Sequence, residues 1–213
     1  MAGSFAPRIG VLALQGGFEA HCAALERLGV RAAEVRNPDE LDELDGLVLP
    51  GGESTTMTIQ LEAGGLEQPI RDFVDAGRPV LGTCAGLIML DRAHLGLMDI
   101  EARRNAFGRQ VRSFEQDVTV RGLGDEPLRA VFIRAPWIEH AGTGVDVLAE
   151  VEGRPVVARE RNMLVAAFHP ELTDDLRLHA LFLALGSEKG RSSVSGRAGG
   201  LKDGRSEPRS IDA

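Results

Sequence analysis

The stretch that most constrains the fold is PVLGTCAGLIML, residues 79–90. It places Cys84 between two small residues and two glycines, after a short apolar run and before an apolar stretch of helical character. Gly-x-Cys-x-Gly at a strand-to-helix turn is the thiol form of a nucleophile elbow, a sharp turn that exposes the nucleophile at the end of a strand. Gly82 and Gly86 are expected where neighbouring backbone leaves no room for a side chain. The segment therefore predicts an α/β fold with a reactive thiol at the edge of its sheet.

The predicted position of Cys84 favours reactivity. At the N-terminus of the following helix, the helix dipole and the free N–H groups stabilise a thiolate, which is the nucleophilic form. The N–H of Ala85 would then face the oxyanion of a tetrahedral intermediate. Taken by itself, the pentapeptide is equally compatible with a small, buried and unreactive cysteine in a glycine-rich turn.

The order of predicted elements agrees with an α/β fold. Predicted strands cover 8–14, 30–36, 44–52 and 79–82, and predicted helices cover 18–29, 55–64 and 68–76. This alternation is typical of a parallel sheet covered on both faces, a three-layer, flavodoxin-like arrangement. After residue 95 the pattern changes, and strands with tight turns predict an antiparallel section within 117–123, 128–136, 145–160 and 162–170.

Three segments divide the chain. Residues 1–7 form an N-terminal extension, and residues 8–186 form one domain that ends in an amphipathic helix over 174–186, with Thr173 or Asp174 as its N-cap. Residues 187–213 are rich in Gly, Ser and charge and poor in apolar side chains. Such a composition cannot bury enough apolar surface to offset the entropy of ordering, so we expect a disordered tail.

Composition excludes several classes of function. The net charge is −8, and the last 27 residues are slightly basic, so the body of the chain is more acidic still. An acidic body with 4% aromatic residues and no tyrosine argues against binding nucleic acid. The stretch MAGSFAPR lacks the apolar region of a signal peptide, so none is expected, and no apolar run in the sequence approaches the length of a membrane span. Two cysteines far apart in sequence fit a reducing cytoplasm rather than a disulfide framework.

A cysteine nucleophile needs a base, and His169 is the histidine best placed to supply one. It follows the apolar run LVAAF directly, where the carboxyl end of a strand would lie, and it begins the sequence HPE. A carboxylate two residues later, on Glu171, can reach back to one imidazole nitrogen and leave the other facing the thiol. A surface turn explains HPE equally well by itself, but HPE together with the elbow points to a catalytic triad.

A third motif, LPGGESTT at residues 49–56, ends a predicted strand and opens a helix. Its glycines allow a ligand to approach the backbone closely, and the N–H of Gly52 is a candidate second oxyanion donor. Ser54 or Thr55 is expected to cap the helix. The simpler alternative is a strand–turn–helix with an N-cap, and the motif lacks the lysine of a P-loop, so it does not imply nucleotide binding.

These motifs together resemble those of the class I (triad) glutamine amidotransferases. Within that class, the sequence is most similar to the family of glutaminase subunits of pyridoxal 5′-phosphate synthase. The matching stretches are IGVLALQGGFEAH, LVLPGGESTTM, GTCAGLIML, RRNAFGRQVRSFE, VFIRAPWI and AAFHPELT, spread over residues 8–186. GGESTTM and NAFGRQ are specific to this branch, whereas GTCAG and HPE are shared more widely.

The resemblance implies a reaction and a site. L-glutamine would be hydrolysed to glutamate and ammonia, with Cys84 as nucleophile, His169 as acid and base, and Glu171 as the carboxylate that orients the histidine. The residues implied in glutamine binding are Gly52, Glu53, Ser54, Arg109, Ile133 and Arg134. A cationic side chain suits the α-carboxylate of glutamine. No metal or other cofactor is expected.

The resemblance also implies a partner. Ammonia would pass to a separate (β/α)8-barrel synthase subunit, which in this family forms a dodecamer decorated with glutaminase subunits. Docking on that subunit completes the oxyanion hole, and Gln15 and Gly16 match the segment associated with the coupling. Three features depart from the family: a shorter segment after Leu90, Trp137 where the family has a histidine beside the glutamine site, and the tail after Ser187.

Three other functions remain open at this point. The chain could be the glutaminase subunit of another pathway, such as histidine biosynthesis, although GGESTTM disfavours this. It could be a cysteine peptidase or a related hydrolase, although a glutamate after the histidine and an arginine pair favour an amino-acid amide. It could also be a non-catalytic chain that binds a partner, which the intact triad sequence disfavours.

Overall fold

The structure is a computed structural model that describes residues 6–104 and 113–192. The predicted N-terminal extension, most of the predicted tail and Arg109 therefore lie outside the described residues, apart from 6–7 and the first residues of the tail. The helices are α1 (Phe18–Arg27), α2 (Ser54–Ala63), α3 (Glu67–Asp75), α4 (Ala85–Leu90) and α5 (Arg177–Ser192). Short 3-10 helices cover Pro38–Leu41 and Pro170–Leu172.

The described strands follow the predicted alternation and then the predicted antiparallel section. In chain order they are β1 (Arg8–Leu12), β2 (Arg31–Val35), β3 (Gly46–Leu49), β4 (Val80–Thr83), β5 (Ile100–Arg103), β6 (Ser113–Val118), β7 (Leu128–Ile133), β8 (Trp137–Ala141), β9 (Asp146–Val151), β10 (Arg154–Glu160) and β11 (Met163–Ala166).

A seven-stranded sheet, in the order β2-β1-β3-β4-β11-β10-β9, forms the centre of the molecule. Neighbouring strands from β2 to β11 run parallel, whereas β10 pairs antiparallel with both β11 and β9. Every residue of β3, β4 and β11 is buried, so helices and loops cover both faces of these strands. The prediction of an α/β fold with a mostly parallel sheet and an antiparallel section is confirmed.

The predicted boundaries after residue 95 were less accurate. β6 covers Ser113–Val118 and pairs with β7, so the strand predicted over 117–123 lies earlier than expected. Gly122, inside that predicted strand, has a positive φ angle and lies in a turn. The short strands β5 and β8, which pair with each other, were not predicted at all.

The last helix also differs from its predicted limits. It begins at Arg177 and continues to Ser192, six residues past the predicted end of the domain at 186. The predicted caps Thr173 and Asp174 precede it by several residues. Instead, the carboxylate of Asp175 accepts a hydrogen bond from the Arg177 N–H (3.0 Å) and pairs with the Arg177 side chain.

Candidate active site

The carboxyl ends of three parallel strands meet at one edge of the sheet and bring the predicted motifs together. Cys84 follows β4, residues 51–54 follow β3, and His169 lies three residues after the end of β11. The end of β7 packs across them, since the Cys84 thiol lies 3.9 Å from the Ile133 carbonyl oxygen and the His169 N–H donates to the Val131 carbonyl oxygen at 2.9 Å. In open α/β sheets, this edge is where ligands bind.

The elbow at Cys84 is strained. Its φ of 48° and ψ of −103° lie where residues with a Cβ are rarely found, a conformation that costs about 1–3 kcal/mol. The surroundings hold it there: the Cys84 N–H donates to the Ala166 carbonyl oxygen at 2.8 Å, and a Cβ at position 86 would overlap the Leu49 carbonyl oxygen. The predicted elbow and the close approach at Gly86 are thus both present in the structure.

His169 lies between a thiol and a carboxylate. Its Nδ1 is 2.7 Å from Glu171 Oε1, and the ring also lies beside the Cys84 thiol. Burial by itself would lower the pKa of His169, but the hydrogen bonds to Cys84 and Glu171 outweigh burial and raise it to about 10. Cys84 and Glu171 therefore favour the protonated ring, so His169 can hold the proton that the thiol gives up, in the arrangement that the spacing of HPE predicted.

Glu171 is buried, with only 1% of its side chain exposed. Burial would raise the pKa of its carboxyl group, but hydrogen bonds to His169 and His21 and the attraction of both rings lower the pKa well below its usual range. The carboxylate is thus ionised and held in place. Gly17 lies directly beside it, since a Cβ there would lie 3.1 Å from Glu171 Oε1.

Two buried histidines lie behind Glu171. His21 on α1 and His179 on α5 are both 0% exposed. His21 Nε2 lies 3.2 Å from Glu171 Oε2 and 3.1 Å from Thr83 Oγ1, and His21 Nδ1 lies 2.9 Å from His179 Nε2. The spacing of His21 from the buried Ala24 and Leu25 on the same helix was the one sequence signal that could have indicated its burial.

Burial of His179 should make the fold sensitive to acid. Desolvation, followed by the neighbouring His21, lowers the pKa of His179 from 6.5 to about 4. Below pH 6.5 the unfolded chain binds a proton that the folded chain does not, so the free energy of unfolding falls as the pH drops towards 4. The loss should be about 2 kcal/mol between about pH 7 and pH 5. Urea unfolding at a series of pH values measures how the free energy of unfolding changes with pH. This change should be smaller in His179→Gln than in wild type, and an equal change would contradict the assignment.

Glu53, and not Ser54 or Thr55 as predicted, is the N-cap of α2. Its carboxylate accepts hydrogen bonds from the N–H groups of Thr56 (2.8 Å) and Thr55 (3.2 Å), and these bonds, led by Thr56, lower its pKa to about 2. Glutamate is not among the preferred N-cap residues, which explains the error. The same carboxylate pairs with the Arg104 guanidinium at 3.1 Å.

A cleft of about 250 Å³ opens above Cys84 and His169. This volume lies just below the usual range for small-molecule sites and suits a ligand of amino-acid size. The cleft is lined by Gly16, Gly17, Gly51, Gly52, Glu53, Ser54, Cys84, Ala85, Ile88, Arg104, Ile133, Arg134, Pro136 and His169. The predicted binding residues other than Arg109 therefore line one cleft. Arg104 was not predicted, although it belongs to the same RRNAFGRQ stretch as Arg109.

Trp137 lies outside the lining of this cleft. Its neighbour Pro136 contributes to the cleft, whereas Trp137 forms part of a separate surface pocket. The Arg154 guanidinium stacks 3.6 Å from the centre of the indole ring, and the indole N–H donates to Glu139 at 2.6 Å. The tryptophan therefore stabilises the β8 edge rather than the cleft.

Within residues 6–104 and 113–192, no helix is long and apolar enough to cross a membrane. No group of three or more histidine, cysteine, aspartate or glutamate side chains in the same ranges is arranged to hold a metal ion.

Comparison with known proteins places this chain among close relatives. A protein of Parafrankia sp. (strain EAN1pec) named pyridoxal 5′-phosphate synthase subunit PdxT is 52% identical over 201 residues, covering 88% of this chain and 99% of that protein. The protein of the same name from Carboxydothermus hydrogenoformans is 50% identical over 183 residues, covering 83% of this chain and 96% of that protein.

Solved structures agree with the observed fold. A crystal structure of a glutamine amidotransferase with 46% sequence identity superimposes with a TM-score of 0.79 and covers 84% of this chain and 98% of that chain. A putative GMP synthase protein from Thermoplasma acidophilum, at 18% identity, shares the fold with a TM-score of 0.69 and covers 89% of this chain and 98% of that chain. The sequence model of the SNO glutamine amidotransferase family matches residues 11–186. With that match and relatives half identical over most of its length, the chain belongs to the SNO glutamine amidotransferase family.

Proposed function

We propose that this chain hydrolyses L-glutamine to L-glutamate and ammonia, as the glutaminase subunit of a pyridoxal 5′-phosphate synthase in vitamin B6 biosynthesis. The observation that carries the proposal is the alignment of Cys84, His169 and Glu171 at the base of a cleft of amino-acid size. Its membership of the SNO family and its half-identical relatives named PdxT support the substrate and the pathway.

Cys84 is the nucleophile in this proposal. His169 takes the thiol proton, and the sulfur attacks the side-chain amide carbon of glutamine. His169 then gives the proton to the departing ammonia, and water hydrolyses the γ-glutamyl thioester with His169 as the base. Glu171 holds the imidazole with one nitrogen towards the sulfur and stabilises the imidazolium that forms in each step.

The N–H groups of Ala85 and Gly52 are proposed to bind the oxyanion. Ala85 is the first residue of α4, so its N–H has no partner within the helix, and both residues line the cleft. One such donor contributes about 3–4 kcal/mol to the stabilisation of a tetrahedral intermediate.

Glutamine carries both an α-carboxylate and an α-ammonium group, and the cleft offers partners for both. Arg104 supplies a guanidinium and Glu53 a carboxylate, and the two already contact each other at 3.1 Å. Ser54, Ile133 and Arg134, which also line the cleft, are proposed to contact the bound glutamine. Arg109 stays a predicted binding residue.

Comparing Arg104→Gln with Arg109→Gln should show which arginine binds the α-carboxylate of glutamine. Losing a charge-assisted contact with the substrate carboxylate should raise KM for glutamine about 10- to 100-fold and leave kcat within about threefold, because the lost contact holds substrate and transition state alike. Steady-state kinetics of Arg104→Gln and Arg109→Gln side by side measure this. A rise in KM for Arg109→Gln alone would move the role to Arg109.

The proposed partner is the (β/α)8-barrel synthase subunit, with glutaminase subunits decorating a dodecamer of it. Gln15, whose side-chain amide donates to the Glu53 carbonyl oxygen at 2.6 Å, connects the β1–α1 loop to the cleft and gives a docked partner a route to it. We place the reaction in the cytoplasm, where the two cysteines, both free, stay reduced.

Glutamate release from L-glutamine, measured for the chain alone and with the matching synthase subunit, tests this function. The expected result is strong stimulation by the synthase subunit. Absence of glutamate in both cases would refute the proposed reaction, and full activity of the chain alone would refute the dependence on the partner.

A further inference from the structure

The buried pair His21–His179 extends the triad by two residues. Elements from the two ends of the described chain supply it, since α1 carries His21 and α5 carries His179, 158 positions apart. Among the described residues, Glu171 Oε2 is buried and forms no hydrogen bond of standard geometry, but it lies 3.2 Å from His21 Nε2. His21 is therefore close enough to offset the charge on the second oxygen of a buried carboxylate.

The partners fix the direction of these contacts. His21 Nε2 lies 3.1 Å from Thr83 Oγ1 and 3.2 Å from Glu171 Oε2, and because a carboxylate only accepts, this nitrogen is assigned the proton. His21 Nδ1 is then an acceptor, and it is His179 Nε2 that donates to it across 2.9 Å. This leaves a lone pair on His179 Nδ1, which is buried without a partner. The opposite direction would bury an unpaired N–H there, which is the more costly arrangement.

We propose that His21, fixed in one tautomer by His179, is a positioning residue for the glutaminase reaction. This role of His21 rests on the function proposed above. His21 keeps the N–H of Nε2 beside Glu171 Oε2, so that Oε1 stays aligned with His169 Nδ1 while the imidazole gains and loses its proton. No proton needs to move between His21 and Glu171.

Charge and burial give His21 this role. When His169 becomes an imidazolium, the negative charge on Glu171 must stay in place in a site that excludes water, and a buried carboxylate oxygen without a donor is strongly disfavoured. Without His21, Glu171 would take up a proton more easily or rotate towards another donor. Both changes weaken His169 as a base for Cys84.

Two amide variants separate positioning from packing. The amide nitrogen of glutamine can occupy the place of His21 Nε2, whereas that of asparagine reaches only the place of Nδ1, towards His179. His21→Gln should stay within about threefold of wild-type kcat, and His21→Asn should lose on the order of tenfold in kcat with KM within about twofold. The acidic limb of the kcat/KM profile should also move to higher pH in His21→Asn, because Glu171 is then protonated at higher pH.

A second readout does not depend on glutamine. The alkylation rate of Cys84 by iodoacetamide, followed by peptide mass spectrometry with Cys22 as internal reference, reports how readily His169 takes the thiol proton. It should fall in His21→Asn and not in His21→Gln. If the wild-type chain releases no glutamate, the proposed function fails, and this assay still decides the role of His21.

The opposite results are equally clear. Wild-type kcat, pH profile and alkylation rate in His21→Asn would show that His21 only fills space. Should His21→Asn not fold, judged by its thermal unfolding, the pair His179→Gln and His179→Leu replaces it. The glutamine can still donate to His21 Nδ1 and should preserve the alkylation rate, and the leucine should lower it. Equal rates in those two variants would overturn the proposal.

Discussion

Replacing Cys84 with alanine should reduce glutamate release by about 10⁵-fold or more, because the variant lacks the sulfur that is proposed to form the covalent bond to the substrate. The assay is the release of glutamate in the presence of the synthase subunit. Binding of glutamine should survive in this variant, since the residues proposed to bind it are untouched, and equilibrium binding to Cys84→Ala measures that separately.

Cys22→Ala is the matched control for the loss of a thiol. Cys22 is a half-buried cysteine on α1, and burial, followed by the charges of Glu34 and Glu26, raises its pKa to about 11. Such a thiol is a poor nucleophile near neutral pH. Activity should therefore stay close to wild type in Cys22→Ala. Substantial glutamate release by Cys84→Ala would contradict the assignment of the nucleophile.

Gly86→Ala should destabilise the protein by about 3 kcal/mol or more. A Cβ at position 86 would overlap the Leu49 carbonyl oxygen and lie 2.8 Å from its carbon, and both belong to the backbone of β3, in the middle of the buried sheet. Neither α4 nor β3 can shift without disturbing the strained turn at Cys84. The intrinsic preference of helices for alanine, about 1 kcal/mol, is too small to offset this overlap.

Gly144→Ala is the control for this second prediction. A Cβ at position 144 would meet only the end of the Glu160 side chain, at 3.8 Å, which is ordinary contact. Urea unfolding should give Gly144→Ala a free energy of unfolding close to that of wild type. An equally stable Gly86→Ala variant would mean that α4 can move away from β3, and the rigidity inferred for the elbow would be wrong.

Local sequence was enough to predict most of the site. Cys84, His169 and the Gly52–Ser54 turn each follow an apolar strand in a chain of alternating strands and helices, and such strand ends meet at one edge of the sheet. The carboxylate of Glu171 was predictable because it lies only two residues from the histidine that it contacts. In a regular fold, contacts between residues that are close in sequence can be predicted from their spacing.

The features that were missed depend on contacts that spacing does not encode. The strands β5 and β8 are short and lie outside the main sheet, so their pairing is set by tertiary packing. Nothing in the order of RRNAFGRQ indicates that Arg104 lines the cleft. The pairing of His21 with His179 joins two ordinary-looking helical histidines from opposite ends of the described chain, and only the packed fold brings them together.

The distance in sequence between the parts of the site has a consequence for the protein during its synthesis. A growing chain that has passed Cys84 but not reached His169 carries the thiol without its base, and α5, which supplies His179, is made later still. The parallel strand β11 must insert between β4 and β10 before His169 and Glu171 reach the thiol. On the proposed mechanism, chains released early from the ribosome cannot liberate ammonia, and the reaction begins only in molecules whose central sheet is complete.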